Sequence, residues 1–409
     1  MAKTSKNIID EARANIKAID IDEARKMLDK PGTVLIDVRE PDEWRQGHIP
    51  QAVAISRGFL ELRVEEKIPD HKTPVIVQCA SGTRSLLAAR TLRELGYENL
   101  YNLTGGFNAW KDRGLPWVAD RQFTNEELNR YSRHFVIPEV GEKGQARLLD
   151  SKVLLLGTGA LGSPSSLYLA AAGVGTIGLV DFDVVDLSNL QRQIVHNVDR
   201  VGMLKTESAQ KQINALNPGI KVVRHDVRLT SENVMGIIKD YDVVVNCGDN
   251  FPTRYLINDA CVFAKKPLVD GAIFRFEGQA TVFWPDKGGP CYRCLYPEPA
   301  PPDMAPSCAE AGVLGALPGV IGSIEALEAM KILLGAGHPL IGKMVYFDTL
   351  SERDYVRILK IRKDPKCPVC SEHPTQTSLI DYEAFCGLGT PQNGTAHATE
   401  GAAASAAAR

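Results

Sequence analysis

Two stretches of this chain alternate short, wholly apolar runs with longer segments whose apolar residues recur at helical spacing. In the first, Val34-Leu-Ile-Asp-Val38 and Pro74-Val-Ile-Val-Gln78 read as buried strands, and Ser85 to Leu95 reads as a helix opened by a polar loop. In the second, Lys152-Val-Leu-Leu-Leu156, Thr176-Ile-Gly-Leu-Val180 and Asp242-Val-Val-Val245 read as strands joined by glycine-rich turns and helical stretches. Apolar runs without a polar alternation suit strands covered on both faces, and strand–helix alternation suits a parallel sheet. The pattern therefore predicts an α/β protein with one domain over 16–118, a linker at 119–123 and a second domain over 124–375. The remainder, 376–409, is expected to be a largely disordered tail. From about Thr390 it is Gly, Ala, Thr and Ser, closing Ala-Ala-Ala-Ser-Ala-Ala-Ala-Arg409, a composition with nothing to pack. No internal repeat relates the two α/β stretches.

Length and composition agree with this outline. The 409 residues are 44% hydrophobic and 24% charged, ordinary for two or three globular domains. A formal net charge of −3 argues against non-specific binding to nucleic acid or a membrane surface. The first thirty residues contain no apolar core of a secretory signal, and the longest apolar runs are strand-sized, too short to span a bilayer. A cytoplasmic, reducing compartment is the expectation, and there cysteine pairs are more often metal ligands than disulfides.

That changes how the nine cysteines are read. Cys291-Tyr-Arg-Cys294 and Cys367-Pro-Val-Cys370 form two knuckles with 72 residues between them. Two thiolate pairs at this spacing suit one tetrahedral Zn2+ with four sulfur ligands. Such a site has no open position, so the metal staples the fold and does no chemistry. The alternatives are two disulfides or four unrelated core cysteines. Cys247 and Cys261 read as small apolar core residues, and Cys386 has no informative context. Cys79 and Cys308 remain, each in a loop with reactive surroundings.

Cys79 ends a strand and begins Cys79-Ala-Ser-Gly-Thr-Arg84, which runs directly into a helix. A thiol there faces the positive end of the helix and a ring of backbone N–H groups, with Arg84 nearby. A helix N-terminus lowers a cysteine pKa from about 8.5 to between about 3.5 and 7.5, and the same cradle stabilises a persulfide anion. The bland alternative is a buried strand-end cysteine. The stretch resembles a rhodanese domain. The likeness is carried by Asp37-Val-Arg39, Glu43-Trp44, Gly47-His-Ile-Pro50, the cysteine loop and Gly105-Gly-Phe-Asn-Ala-Trp110. The resemblance implies that Cys79 carries sulfane sulfur as a persulfide and that Arg84 shapes the loop.

Gly157-Thr-Gly-Ala-Leu-Gly162 follows a strand and opens a helix, and Asp181 lies 19 residues after Gly162 at the end of the next strand. Glycines allow a tight turn and close backbone approach to phosphates, and the carboxylate suits a ribose. Alone, this would suggest an NAD-dependent oxidoreductase. The residues downstream favour ATP: Ser188-Asn189-Leu190-Gln191-Arg192-Gln193, Lys205, and the strand-ending Asp249-Asn250. ATP cleavage needs cations on the polyphosphate and a carboxylate for Mg2+. Arg192 and Lys205 supply the former and Asp249 the latter.

These residues, with Arg130-Tyr-Ser-Arg133 and both knuckles, resemble the MoeB/ThiF family of sulfur-carrier adenylyltransferases, related to ubiquitin-activating enzymes. The resemblance implies a Rossmann-like adenylation domain with structural zinc. In it Gly157, Gly159, Ala160, Gly162, Ser188, Leu190, Gln191 and Asn250 shape the nucleotide site. Asp181 holds the ribose, Asn189, Arg192 and Lys205 engage phosphates, and Asp249 positions Mg2+. Arg133 is expected to reach the ATP of the other subunit of a homodimer. Ala160 stands where the family often has a third glycine, and alanine is tolerated there if φ stays negative. Cys308 lies in the small-residue stretch Met304-Ala-Pro-Ser-Cys-Ala-Glu-Ala-Gly312 after the proline-rich run Pro297 to Pro302, where the resemblance implies a cysteine that attacks the activated carboxylate or exchanges with a persulfide; the alternative is a spare loop cysteine.

Together the resemblances imply ATP-dependent adenylation of the C-terminal Gly-Gly carboxylate of a ubiquitin-like sulfur-carrier protein, then sulfur transfer to give a thiocarboxylate. The implied sulfur donor is thiosulfate or a cysteine desulfurase. The best-known fused members place the rhodanese domain last, whereas here it comes first, leaving open delivery in cis or across the dimer. The competing readings are an NAD-dependent oxidoreductase, or adenylation of a non-protein acceptor with the rhodanese domain as a binding module.

Overall fold

The structure is a computed structural model that describes residues 4–299 and 312–387. The chain divides into two compact units, Met1–Leu128 and Asn129–Arg409. Residues 119–124 have no regular secondary structure, and the helix Asn125–Arg130 follows them.

The first unit holds five parallel strands: β1 (Lys17–Ile19), β2 (Val34–Asp37), β3 (Ala52–Ala54), β4 (Val75–Gln78) and β5 (Leu100–Leu103). Their order is β1-β5-β4-β2-β3. Alternate residues of β2 and β4 feed two separate apolar cores. Ile36, Val75 and Val77 pack on one face of the sheet with Leu86 and Leu92 of the helix Thr83–Glu94. Leu35 and Ile76 pack on the other with Ile19, Leu103 and Trp110. Burial on both faces explains the unbroken apolar runs seen in the sequence.

The second unit is built on a mixed sheet of eight strands: β6 (Lys152–Leu156), β7 (Thr176–Val180), β8 (Lys221–His225), β9 (Val243–Asn246), β10 (Leu268–Phe274), β11 (Glu277–Phe283), β12 (Lys343–Asp348) and β13 (Val356–Lys360). Their order is β13-β12-β11-β10-β9-β6-β7-β8. The run from β10 to β8 is parallel, and β11, β12 and β13 are antiparallel additions. The chain leaves β6 toward β7 and β8, then crosses back to lay β9 on the other side of β6. That reversal opens a crevice at the carboxyl ends of β6 and β9, the place where open α/β sheets bind ligands.

The helix Leu317–Leu334 covers β10 and β11 and crosses the helix Gly162–Ala172 at close range. A Cβ on Gly322 would stand 2.6 Å from the Leu161 carbonyl oxygen, so only glycine permits the crossing. Three residues on, Glu325 is fully buried. Its Oε2 accepts from the Ser165 hydroxyl at 2.9 Å and from the Cys247 thiol at 3.7 Å, while Oε1 has no partner. Burial pushes its pKa up to about 8, so most of it keeps its proton at neutral pH.

The ordered chain runs past 375. Tyr382, Phe385 and Cys386 close an apolar cluster with Tyr255 and Phe283, and the Tyr382 hydroxyl donates to buried Asp259 at 2.8 Å. Asp259 also accepts from Arg293 at 2.8 Å and Gln376 at 2.9 Å. Residues 376–387, expected in a disordered tail, are therefore fixed by partners far away in sequence. The region from 388 lies outside the described residues.

Because the native state holds a proton on Glu325 that the unfolded chain has released, stability falls as pH rises from about 4.5 to about 8 and levels off above. Its share is at most about 5 kcal/mol, from roughly 1.4 kcal/mol per pKa unit. Urea denaturation at pH 5 and pH 8 should show a smaller loss for Glu325→Gln than for the wild type.

Candidate functional site

At the crevice, β6 ends at Leu156 and the chain turns through Gly157, whose φ of +94° is open only to glycine at low strain. A Cβ on Gly157 would stand 3.2 Å from the Cys247 carbonyl oxygen, and one on Gly162 only 2.1 Å from the carbonyl oxygen of Gly157. The turn thus lets the helix Gly162–Ala172 start directly against the strand ends. Ala160 has no positive φ, so alanine is accommodated as expected.

A cavity of about 620 Å³ opens over this turn. Of the residues singled out from sequence, Gly157, Gly159, Ala160, Asp181, Arg192, Lys205, Asp249 and Asn250 line it. Asp181 is fixed by its neighbours: Oδ2 accepts from the Thr158 backbone N–H at 2.9 Å and its hydroxyl at 3.0 Å, and Oδ1 accepts from Asp183 N–H at 3.0 Å. Lys205 is nearly buried and donates to exposed Asp183 at 2.7 Å. Arg192 Nη1 donates to the Ser188 carbonyl at 3.0 Å. Asn250 caps the helix Phe251–Phe263 through Thr253 N–H at 2.9 Å, beside the exposed carboxylate of Asp249.

Ser188, Asn189, Leu190, Gln191, Gly162 and Arg133 do not line the cavity. Ser188 and Asn189 form a reciprocal cap with Asp186, whose Oδ1 accepts from Ser188 N–H at 2.8 Å while Asn189 Oδ1 accepts from Asp186 N–H at 3.0 Å. They shape the turn that presents Arg192. Arg133 is exposed in the short helix Ser132–Phe135.

Two residues not singled out, Arg254 and His196, belong to the site, as does Gln193 at the end of the Ser188 stretch. Arg254 is buried, pairs with buried Asp270 at 2.9 Å, and donates to the Gly248 carbonyl at 2.8 Å, tying the loop of Asp249 to the sheet. Its signal in the sequence is a lone cation in the apolar helix after Asn250. Gln193 is buried against Gly159 with Oε1 unpartnered. His196 bridges the Thr158 carbonyl at 3.0 Å and the Ser208 hydroxyl at 2.8 Å. Burial lowers its pKa to about 4, so it supports the glycine turn as a neutral ring.

The four knuckle cysteines converge. Sγ of Cys291 lies 3.9 Å from that of Cys294 and 3.5 Å from that of Cys367, and Sγ of Cys294 lies 3.4 Å from that of Cys370. All four lie within 4.8 Å of one another. A zinc tetrahedron with bonds of about 2.3 Å has sulfur–sulfur edges of about 3.8 Å, so the donor set fits Zn2+. Val262, Phe263 and Val369 pack against it. Cys247, Cys261 and Cys386 are buried as well, and no disulfide joins the described cysteines.

In the first unit Cys79 directly follows β4 and is buried. Gly82, at φ +101°, turns its N–H to within 3.1 Å of Sγ, and the Ser85 hydroxyl lies 3.5 Å away. Burial pushes the thiol up, but the Ser85 hydroxyl and the N–H groups of Ser85, Ser81 and Gly82 outweigh it, so the net shift is downward. Arg84 is clamped by both Glu43 oxygens at 2.6 Å. Cys308 lies outside the described residues. Among those described, no helix is long and apolar enough to cross a membrane.

The ThiF family model matches residues 131–369, and the rhodanese-like domain model matches 20–113. A sulfur carrier protein adenylyltransferase of Thermus thermophilus is 52% identical over 271 residues, 65% of this chain and 99% of that protein. A probable adenylyltransferase/sulfurtransferase MoeZ of Mycobacterium tuberculosis is 53% identical over 65% of this chain and 66% of its own length. An adenylyltransferase and sulfurtransferase MOCS3 of Anopheles gambiae is 48% identical over 65% of this chain and 60% of its own. The alignments therefore leave more than a third of the MOCS3 relative unmatched. Among solved structures, Escherichia coli MccB with ATP shares the fold at a TM-score of 0.53 and 23% identity, over 65% of this chain and 80% of MccB.

A structural zinc contributes on the order of 10 kcal/mol to folding. Cys294→Ser is expected to lose bound zinc by elemental analysis and to lower the melting temperature of the second unit, as would a strong chelator on the wild type.

Proposed function

Since the chain belongs to the ThiF family and carries a rhodanese-like domain ahead of it, we propose that it adenylates the C-terminal carboxylate of a ubiquitin-like sulfur-carrier protein and then converts it to a thiocarboxylate. The observation that carries the reading is the cavity over the glycine turn, which gathers Asp181, Arg192, Lys205 and Asp249 from four separate segments. Its volume of about 620 Å³ suits a nucleotide-sized ligand.

A carboxylate is a poor electrophile, because its charge repels nucleophiles and oxide is a bad leaving group. Attack of a carboxylate oxygen on the α-phosphorus of ATP breaks the bond to the β-phosphate and gives acyl-AMP and pyrophosphate. Asp181 accepts from the ribose hydroxyls. Lys205 exchanges the exposed Asp183 carboxylate for phosphate oxygens, at little cost because a half-solvated ion pair is weak. Arg192 adds the second cation. Asp249 would hold Mg2+, which neutralises charge on the phosphates when bound. Catalysis here is positioning and charge stabilisation.

The Cys79 thiolate takes sulfur from a sulfane donor such as thiosulfate or a cysteine desulfurase persulfide. The outer sulfur then attacks the acyl carbon and expels AMP. A second thiol, for which Cys308 is the candidate, attacks the Cys79 sulfur of the resulting acyl disulfide; the thiocarboxylate leaves with the electron pair and a Cys79–Cys308 disulfide forms, which an external dithiol reductant must reduce before the next turnover. Linking both centres in one chain raises their effective concentration.

The homodimer reading is supported by an apolar surface around the nucleotide loop, where Leu187, Ile194 and Val198 are each more than 60% exposed. Such a patch on a soluble domain suits a protein partner, and Arg133 would act from the second copy.

ATP–pyrophosphate exchange and intact-mass analysis of candidate carriers test the scheme. Asp249→Asn should abolish exchange while leaving the melting temperature unchanged. Cys79→Ala should keep exchange and lose the gain of one sulfur for one oxygen on the carrier. Exchange retained in Asp249→Asn would remove that residue from the mechanism, and tight NAD binding with no exchange would favour an oxidoreductase.

A further inference from the structure

Beside Cys79 two buried polar side chains meet that no backbone pairing requires. Ser85, in the first turn of the helix Thr83–Glu94, has no exposed surface. Its hydroxyl lies 2.6 Å from Oδ1 of Asn102 and 3.5 Å from Sγ of Cys79. Asn102 projects from β5, the strand next to β4, and is 7% exposed. A serine hydroxyl carries one hydrogen, so it serves only one of these two acceptors at a time. The Asn102 contact is the shorter, and there the hydroxyl is the donor.

We propose that Ser85 and Asn102 form a hydrogen-bond switch that follows the charge on the Cys79 sulfur. With Sγ neutral the hydroxyl rests on Asn102, and with Sγ anionic it turns to the sulfur. This rests on Cys79 being the sulfur carrier, and it deepens that reading by naming how the thiolate is held. When the thiolate attacks the outer sulfur of thiosulfate, the Sγ–S bond forms and the bond to sulfite breaks, sulfite leaving with the electron pair. The negative charge moves one sulfur outward, Sγ becomes neutral, and the hydroxyl returns to Asn102. When an acceptor such as cyanide takes the outer sulfur, Sγ departs as thiolate and draws the hydroxyl back.

A fixed donor would stabilise the thiolate throughout and disfavour its conversion to persulfide. A donor with a second resting place avoids that penalty. Ser85 touches the reacting atom, whereas Asn102 is a positioning residue that acts through it. The other groups facing Sγ are the N–H groups of Ser81, Gly82 and Ser85, and Arg84 with its partner Glu43. None is altered by removing the Ser85 hydroxyl.

The test is the pH profile of Cys79 alkylation by iodoacetamide in the full-length protein, read at Cys79 by peptide mass spectrometry. Ser85→Ala loses one hydrogen bond to a charged sulfur, so its profile should move up by about one pKa unit, roughly a tenfold loss of thiolate at a pH below the midpoint. Asn102→Leu removes the competing acceptor, so its profile should move down. If Asn102→Leu does not fold by circular dichroism, Asn102→Ala serves the same purpose. A role in packing alone would move both variants in the same direction or neither. An unmoved Ser85→Ala profile, or a shared direction, would overturn the switch. A wild-type chain that gains no sulfur at Cys79 from thiosulfate would instead overturn the carrier reading beneath it.

Discussion

Both chemical centres depend on a helix N-terminus placed directly behind the end of a buried parallel strand. The first N–H groups of a helix have no partner within it, and their summed dipoles favour a negative group at that end. In the first unit this end faces the Cys79 sulfur through Gly82. In the second it faces the cavity above Gly157. A thiolate and a phosphate have little in common except charge, and the same backbone device suits each. The device works only if strand and helix come close. For that reason Gly162 lies against the Gly157 carbonyl, where a Cβ would stand only 2.1 Å away; at the first centre Gly106, which opens the separate helix Gly106–Asp112, packs equally close to the Cys79 carbonyl.

Around this shared device the charged side chains divide by burial. Arg254 and Asp270 are both almost fully buried, and removing either would leave an uncompensated charge in the interior. They fix the loop that carries Asp249. Lys205 is paired with Asp183, whose side chain is 53% exposed, so that ion pair is worth little. Arg293 and Asp259 belong to the first kind and join the cysteine knuckle at Cys291 and Cys294 to the C-terminal segment. The buried Arg254–Asp270 pair thus backs the cavity, and the more exposed Lys205–Asp183 pair lines it.

Much of this was legible along the chain. The strands from Lys152 and Thr176 have the bounds that their apolar runs indicate, because a fully buried strand must be apolar at every position. The glycine turn and the cysteine knuckles were legible because their spacing is set by local geometry. Order between 376 and 387 was not legible: the few apolar residues there carry no periodic signal, and their partners Tyr255 and Asp259 lie more than 100 residues earlier.

The sequence alone determined the elements, the two α/β stretches and the residue types at each reactive centre, since strand burial, helix capping and metal-ligand chemistry act over a few residues. Only the tertiary structure decided which polar residues reach the cavity. It turned Ser188 and Asn189 to capping a turn, made neutral supports of His196 and Glu325, and set Ser85 between Cys79 and Asn102. The physical reason is that burial and hydrogen-bond partnership depend on which distant segments the fold brings together, and no local pattern encodes that.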